Sequence, residues 1–138
     1  MSFVSVKLQF AAGHRILGLT GAGAKCRTPH GHTFTATFVF KQSKEWPPAI
    51  EFGAVKASLR ACIADRYDHC FFVDKDDADM HDFLVSDDCK HYAFEGPPTT
   101  ERIAEQLARE ARLLTQGAEL HSVILEEGPE NSATWTAV

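Results

Sequence analysis

Two alternating runs, residues 3–14 and 30–40, constrain this chain more than any other feature. In the first, FVSVKLQFAAGH, Val4, Val6, Leu8 and Phe10 take one parity, Ser5, Lys7 and Gln9 take the other, and His14 continues the apolar parity. In the second, His30, His32, Phe34, Ala36, Phe38 and Phe40 share one parity, and Thr33, Thr35 and Thr37 share the other. Side chains of a strand alternate between faces, so each run reads as a half-buried strand. The Gly-containing segment 15–29 returns the chain, and two such strands pair as antiparallel neighbours. That pairing sets the end of the first run beside the start of the second and brings His14 to His30 and His32.

In an extended strand His30 and His32 stand about 7 Å apart at the backbone and point the same way. Three neutral imidazoles with no evident fourth protein ligand describe a catalytic zinc with an open coordination position. Taken singly, each histidine is more often a hydrogen-bonded core residue than a ligand; their convergence by independent strand parity is what favours metal. Cys26 lies four residues before His30, between Lys25 and Arg27. Neighbouring cations favour a thiolate, which suits an acid/base thiol. The alternative makes Cys26 the fourth ligand of a structural zinc.

The remaining chain supplies the covering layer. Two prolines in 42–50 end the second strand, and residues 52–67 place Phe52, Val55, Leu59, Ile63 and Arg66 at helical spacing, with Cys62 as a small core residue on that face. That helix runs out at Tyr67-Asp68-His69. There the acid either orients the imidazole for proton exchange or is an exposed helix end. Residues 74–90 are acidic, and Phe83-Leu84-Val85 with Tyr92-Ala93-Phe94 read as a short extra strand pair at a sheet edge or subunit contact. A second helix starts at Pro98-Thr99-Thr100-Glu101, buries Ile103, Leu107, Ala111 and Leu114, and stops at Gly117.

From His121 two strands are separated by the turn-forming Gly128-Pro129-Glu130-Asn131, and Glu127 ends an apolar row of His121, Val123 and Leu125. A carboxylate there requires a partner. The order strand, strand, helix, helix, strand, strand gives an α+β class, an antiparallel sheet with helices on one face. At 138 residues and 15.3 kDa, one domain over 1–138 is expected. A net charge of −5 excludes a broad nucleic-acid surface. The positive charges that matter are local: Lys25, Arg27 and Arg15 stand ready for an anion. No signal sequence or membrane span is visible, so the cytoplasm is expected, with the four cysteines reduced.

The ordered set FAAGH, C-x-x-x-H-G-H, Asp68-His69, Pro98-Thr99-Thr100-Glu101 and a late Glu resembles the 6-pyruvoyltetrahydropterin synthase and 6-carboxytetrahydropterin synthase family over nearly the whole chain. Three residues between thiol and His-Gly-His resemble the bacterial carboxy enzyme of the queuosine pathway. The resemblance implies a tunnelling fold, with trimers closing their sheets into a barrel, two trimers stacking into a homohexamer, and active sites at subunit boundaries. It implies zinc on His14, His30 and His32, catalysis by Cys26, His69 and Asp68, and a pterin ring held by Glu127, with Glu126 as fallback. Thr99, Thr100 and Glu101 would bind the ring, and Lys25 and Arg27 the phosphates.

The implied reaction turns 7,8-dihydroneopterin triphosphate into 6-carboxy-5,6,7,8-tetrahydropterin, acetaldehyde and triphosphate. Pyruvoyl chemistry, or another pterin, is the rival within the family, and a non-catalytic zinc-stabilised oligomerisation module the rival outside it. The chain departs from the family pattern after His69, where Cys70-Phe71-Phe72-Val73 replaces the usual Leu-Asn element.

Overall fold

Alternation in the two leading runs produces a long hairpin-like ladder. In the computed structural model, which describes residues 1–115 and 117–138, the elements in chain order are β1 (Ser2–His14), a 3-10 turn (Gly21–Arg27), β2 (His30–Gln42), α1 (Phe52–Arg66), β3 (Cys70–Asp74), α2 (Ala78–Ser86), β4 (His91–Phe94), α3 (Thr100–Leu114), β5 (Glu119–Glu127) and β6 (Asn131–Thr136). Strands β1 and β2 pair antiparallel from Ser2 opposite Gln42 to His14 opposite His30. This register sends Val6, Leu8, Phe10 and Ala12, with Phe34, Ala36, Phe38 and Phe40, into one core.

Helices α1 and α3 cover that face. Leu59 and Ile63 from α1 and Ile103, Leu107 and Ala111 from α3 pack into the same core, and the burial of some two dozen apolar side chains drives the association. The expected stripes are right except at their ends, where Phe52 is 52% and Leu114 42% exposed, because each sits in a terminal turn that overhangs the sheet. Cys62 packs against the core only in part. Its thiol faces Glu110 Oε2 at 3.6 Å, and burial together with that carboxylate pushes it up to about 11. Glu110 also accepts from the Tyr67 hydroxyl at 2.9 Å and from Arg66, so a polar seam joins α1 to α3.

The α+β order holds, with β3, α2 and β4 inserted between the two covering helices. Among the described residues the sheet runs β4-β3-β1-β2-β5-β6, and β3 lies parallel to β1 and to β4, so the sheet is mixed. Residues 83–85 are helical. Asp77 caps α2 by accepting from Met80 N, Asp79 sits in its first turn, and Leu84 is buried between the exposed Phe83 and Val85. That exposed-buried-exposed triplet has the parity of a strand, which is why the local pattern misleads. Tyr92-Ala93-Phe94 is a strand, paired with β3. Gly13 lets β3 close on β1, since a Cβ there would lie 3.0 Å from Phe71 Cδ2 and 3.2 Å from the His30 carbonyl oxygen. No helix among the described residues is long and apolar enough to cross a membrane.

Candidate metal centre and the groups around it

The β1–β2 register sets His14 opposite His30 and Ala12 opposite His32, so three imidazoles meet at one end of the ladder. One donor nitrogen from each lies within 4.8 Å of the others. Their rings stand edge to face, 4.7 to 5.3 Å between centroids. Two tautomers are set by backbone. His14 Nδ1–H donates to the Pro98 carbonyl at 2.8 Å, and His30 Nδ1–H donates to the Thr28 carbonyl at 2.6 Å. Each leaves an Nε2 lone pair for an ion, the arrangement metal-ligating histidines adopt.

His32 provides the test of fit. Its Nε2 is buried without a hydrogen-bond partner, although Glu127 Oε1 lies 3.3 Å away out of alignment. An orphaned buried nitrogen facing two free lone pairs is what an ion would satisfy. Burial is the largest influence on His14 and lowers its affinity for a proton, outweighing the Pro98 bond and the Glu127 charge, so this imidazole is neutral and able to coordinate at pH 7. The triad can hold a metal ion.

Glu127 stands opposite Phe34, on the face of the histidines, whereas Glu126 stands opposite Thr35 on the other. The Glu127 carboxylate accepts from the Thr100 hydroxyl and lies 3.8 Å from His14 Nε2. Thr100 opens α3, and Thr99 before it holds a buried hydroxyl without a partner. Glu101 is exposed in the first turn.

Cys26 sits half-buried in the 3-10 turn, with Lys25 and Arg27 exposed on either side. Its carbonyl accepts from Ile16 N at 2.8 Å, which fastens the turn to the end of β1. Cys26 is not one of the converging donors. Arg15 is not free for an anion: it makes a fork to Asp77, Nε to Oδ2 at 2.7 Å and Nη2 to Oδ1 at 2.6 Å. The partner lies 62 residues away, so no local pattern announced it.

Asp68 and His69 form a pair, with Asp68 Oδ2 3.0 Å from His69 Nδ1. The other Asp68 oxygen accepts from Ala11 N at 3.0 Å, and this bond is the main reason the acid is held below its usual range. His69 is 82% exposed and opens on a depression of about 490 Å³ with Ala11, Gly13, Gly31 and Thr33, the parity opposite to the ligand histidines; His32 borders it and Cys26 does not. No hydrogen bond joins Cys26 to His69 among the described residues. Within one chain the metal triad, Glu127 and the start of α3 are brought together, and the Asp68–His69 pair opens on a depression that His32 of the triad borders.

The sequence profile of 6-pyruvoyl tetrahydropterin synthases matches residues 3–137. A 6-carboxy-5,6,7,8-tetrahydropterin synthase of Rickettsia felis is 30% identical over 109 residues, 75% of each chain. An uncharacterized protein of Wolinella succinogenes superposes with a TM-score of 0.84 at 18% identity, covering 99% of this chain and 98% of its own. The 6-pyruvoyl tetrahydropterin synthase of Plasmodium falciparum does so with a TM-score of 0.71 at 14% identity, covering 99% and 97%. At such identities the two structures speak for the fold.

Proposed function

The chain belongs to the 6-pyruvoyl tetrahydropterin synthase family, and from that premise we propose that this lyase acts on 7,8-dihydroneopterin triphosphate and water, uses zinc, and forms 6-carboxy-5,6,7,8-tetrahydropterin with release of acetaldehyde and triphosphate. The observation that carries the proposal is the convergence of His14, His30 and His32 with Glu127 beside them. The carboxy product, rather than the pyruvoyl one, is supported by the Rickettsia relative and by the three-residue spacing from Cys26 to His30.

His14, His30 and His32 would hold the ion, which would supply Lewis-acid polarisation of the substrate side-chain oxygens. Glu127 accepts two parallel N–H groups of the pterin ring, and the Thr100 hydroxyl orients its carboxylate. The unspent Thr99 hydroxyl and Glu101 complete the ring platform at the start of α3. Lys25 and Arg27 face the triphosphate. Cys26 takes the proton released from the side chain.

His69, steadied by Asp68, exchanges that proton from a neighbouring subunit, since its position on the other sheet face suits a site built at a subunit boundary. The assembly proposed is a homohexamer, two stacked trimers with their sheets closed into a barrel.

Incubation with dihydroneopterin triphosphate, followed by mass spectrometry of the pterin and assay of acetaldehyde, tests the reaction. Acetaldehyde with the carboxy product supports it. The family's pyruvoyl chemistry keeps the side chain intact, so a pyruvoyl product without acetaldehyde selects that activity. Absence of turnover in metal-loaded protein rejects both.

A further inference from the structure

His69 has φ +60°, a left-handed setting that a non-glycine residue adopts only under strain. The turn that contains it is held at both polar atoms of one peptide group. The N–H of His69 donates to the Ala11 carbonyl at 2.6 Å, and the carbonyl of Asp68 accepts from Lys90 Nζ at 2.7 Å. The same ammonium donates at 2.9 Å to the carbonyl of Ala64, one of the acceptors left without a partner where α1 ends. Lys90 is itself fixed, because its carbonyl accepts from Phe71 N at 3.0 Å just before β4 begins.

We propose that Lys90 is a positioning residue that locks the Asp68–His69 peptide plane and so aims the His69 imidazole over the sheet face. The Asp68 carboxylate cannot do this alone. It grips Ala11 N on one side and His69 Nδ1 on the other, but both contacts involve its side chain, and without Lys90 the intervening peptide is held only at its N–H, by the Ala11 carbonyl. A flip of that plane changes ψ of Asp68 and φ of His69 together, releases the strain of the left-handed setting, and breaks the His69 N–H bond to the Ala11 carbonyl, which frees the turn that carries the imidazole. An ammonium with charge-assisted bonds to two carbonyls opposes the flip. The catalytic consequence rests on the proposed role of His69 in proton exchange; the backbone lock itself does not.

The test compares Lys90→Met, which keeps the aliphatic stem and removes the donors, with Lys90→Arg, which keeps donors. In Lys90→Met, kcat on dihydroneopterin triphosphate falls about 10–100-fold, the loss expected when a reacting group is misplaced by around an ångström. KM and metal content change less than about twofold, since neither the ring anchor nor the ion ligands are touched. Lys90→Arg recovers most of kcat. Amide hydrogen exchange of His69, followed by NMR, becomes faster in Lys90→Met and stays slow in Lys90→Arg.

An unchanged kcat with unchanged His69 exchange in Lys90→Met overturns the proposal. So does a protein that loses metal and KM together with kcat or fails to fold, because Lys90 is then a structural residue only. If the unmodified protein shows no turnover, the functional reading fails, and the exchange measurement alone decides whether the lock exists.

Discussion

At His14 the two ring nitrogens have different fates: Nδ1–H is engaged by a backbone carbonyl and Nε2 is free for an ion. At His32 it is Nε2 that is buried without a hydrogen-bond partner, so this residue depends most on what binds there. His32→Ala is expected to remove nearly all bound metal, measured by inductively coupled plasma mass spectrometry, while the circular dichroism spectrum is retained. Cys26→Ala separates catalysis from structure. It is expected to stay folded and metal-loaded with kcat lowered about 10²–10⁴-fold, whereas a structural-ligand role predicts loss of metal. Glu127→Gln replaces one of two acceptors with a donor and is expected to lower kcat/KM about 10–100-fold in steady-state kinetics, the loss of a charge-assisted hydrogen bond. A wild-type kcat/KM in this variant rejects the ring-anchor role.

At the scale of elements, α2 is tied to the ligand strand by the Arg15–Asp77 fork, whose side chains are 16% and 5% exposed. The bond from Arg15 is the first cause of the depressed proton affinity of Asp77. A carboxylate whose native pKa is depressed contributes stability that is complete above its unfolded value near 3.9 and is lost as pH falls through the native value. Asp77→Asn is therefore expected to cost about 1–3 kcal/mol at pH 7 in urea unfolding. The difference from wild type should shrink as pH falls below about 4 and through the depressed native value; a difference that stays constant with falling pH would contradict the assignment.

The β1–β2 ladder and the parity of Glu127 were legible because alternation over a dozen residues leaves one register that buries the apolar set. Helix α2 was not, since Phe83-Leu84-Val85 shows the same parity in a helix as in a strand; Asp77 as cap with Asp79 behind it was the available signal. Missing β3 had a further cost. With Cys70 set beside Ala12, the opposite face for His69 could have been read in advance. Carbonyl partners such as Pro98 and Thr28 carry no residue signature, so sequence could not supply them.

On the whole-molecule scale the sheet ends in two edges among the described residues, β4 and β6, and the depression beside His69 lies on the face of β1 and β2 turned away from the core. Open edges favour pairing with other copies. Sedimentation equilibrium is expected to return six times the 15.3 kDa chain mass. Because Cys26 does not border the depression on which His69 opens, inactive Cys26→Ala and inactive His69→Ala proteins should complement when coassembled. Random mixing in equal amounts would recover about a quarter of wild-type activity. No recovery in mixed hexamers would show that each chain builds its own site.

The carbonyl that steadies His14 belongs to Pro98, in the short connection leading into α3. Any deletion that pulls this connection back by a single residue would disarm the ion's grip while leaving all three histidines in the gene, so drift there can silence the protein without leaving a mark on its recognisable signature.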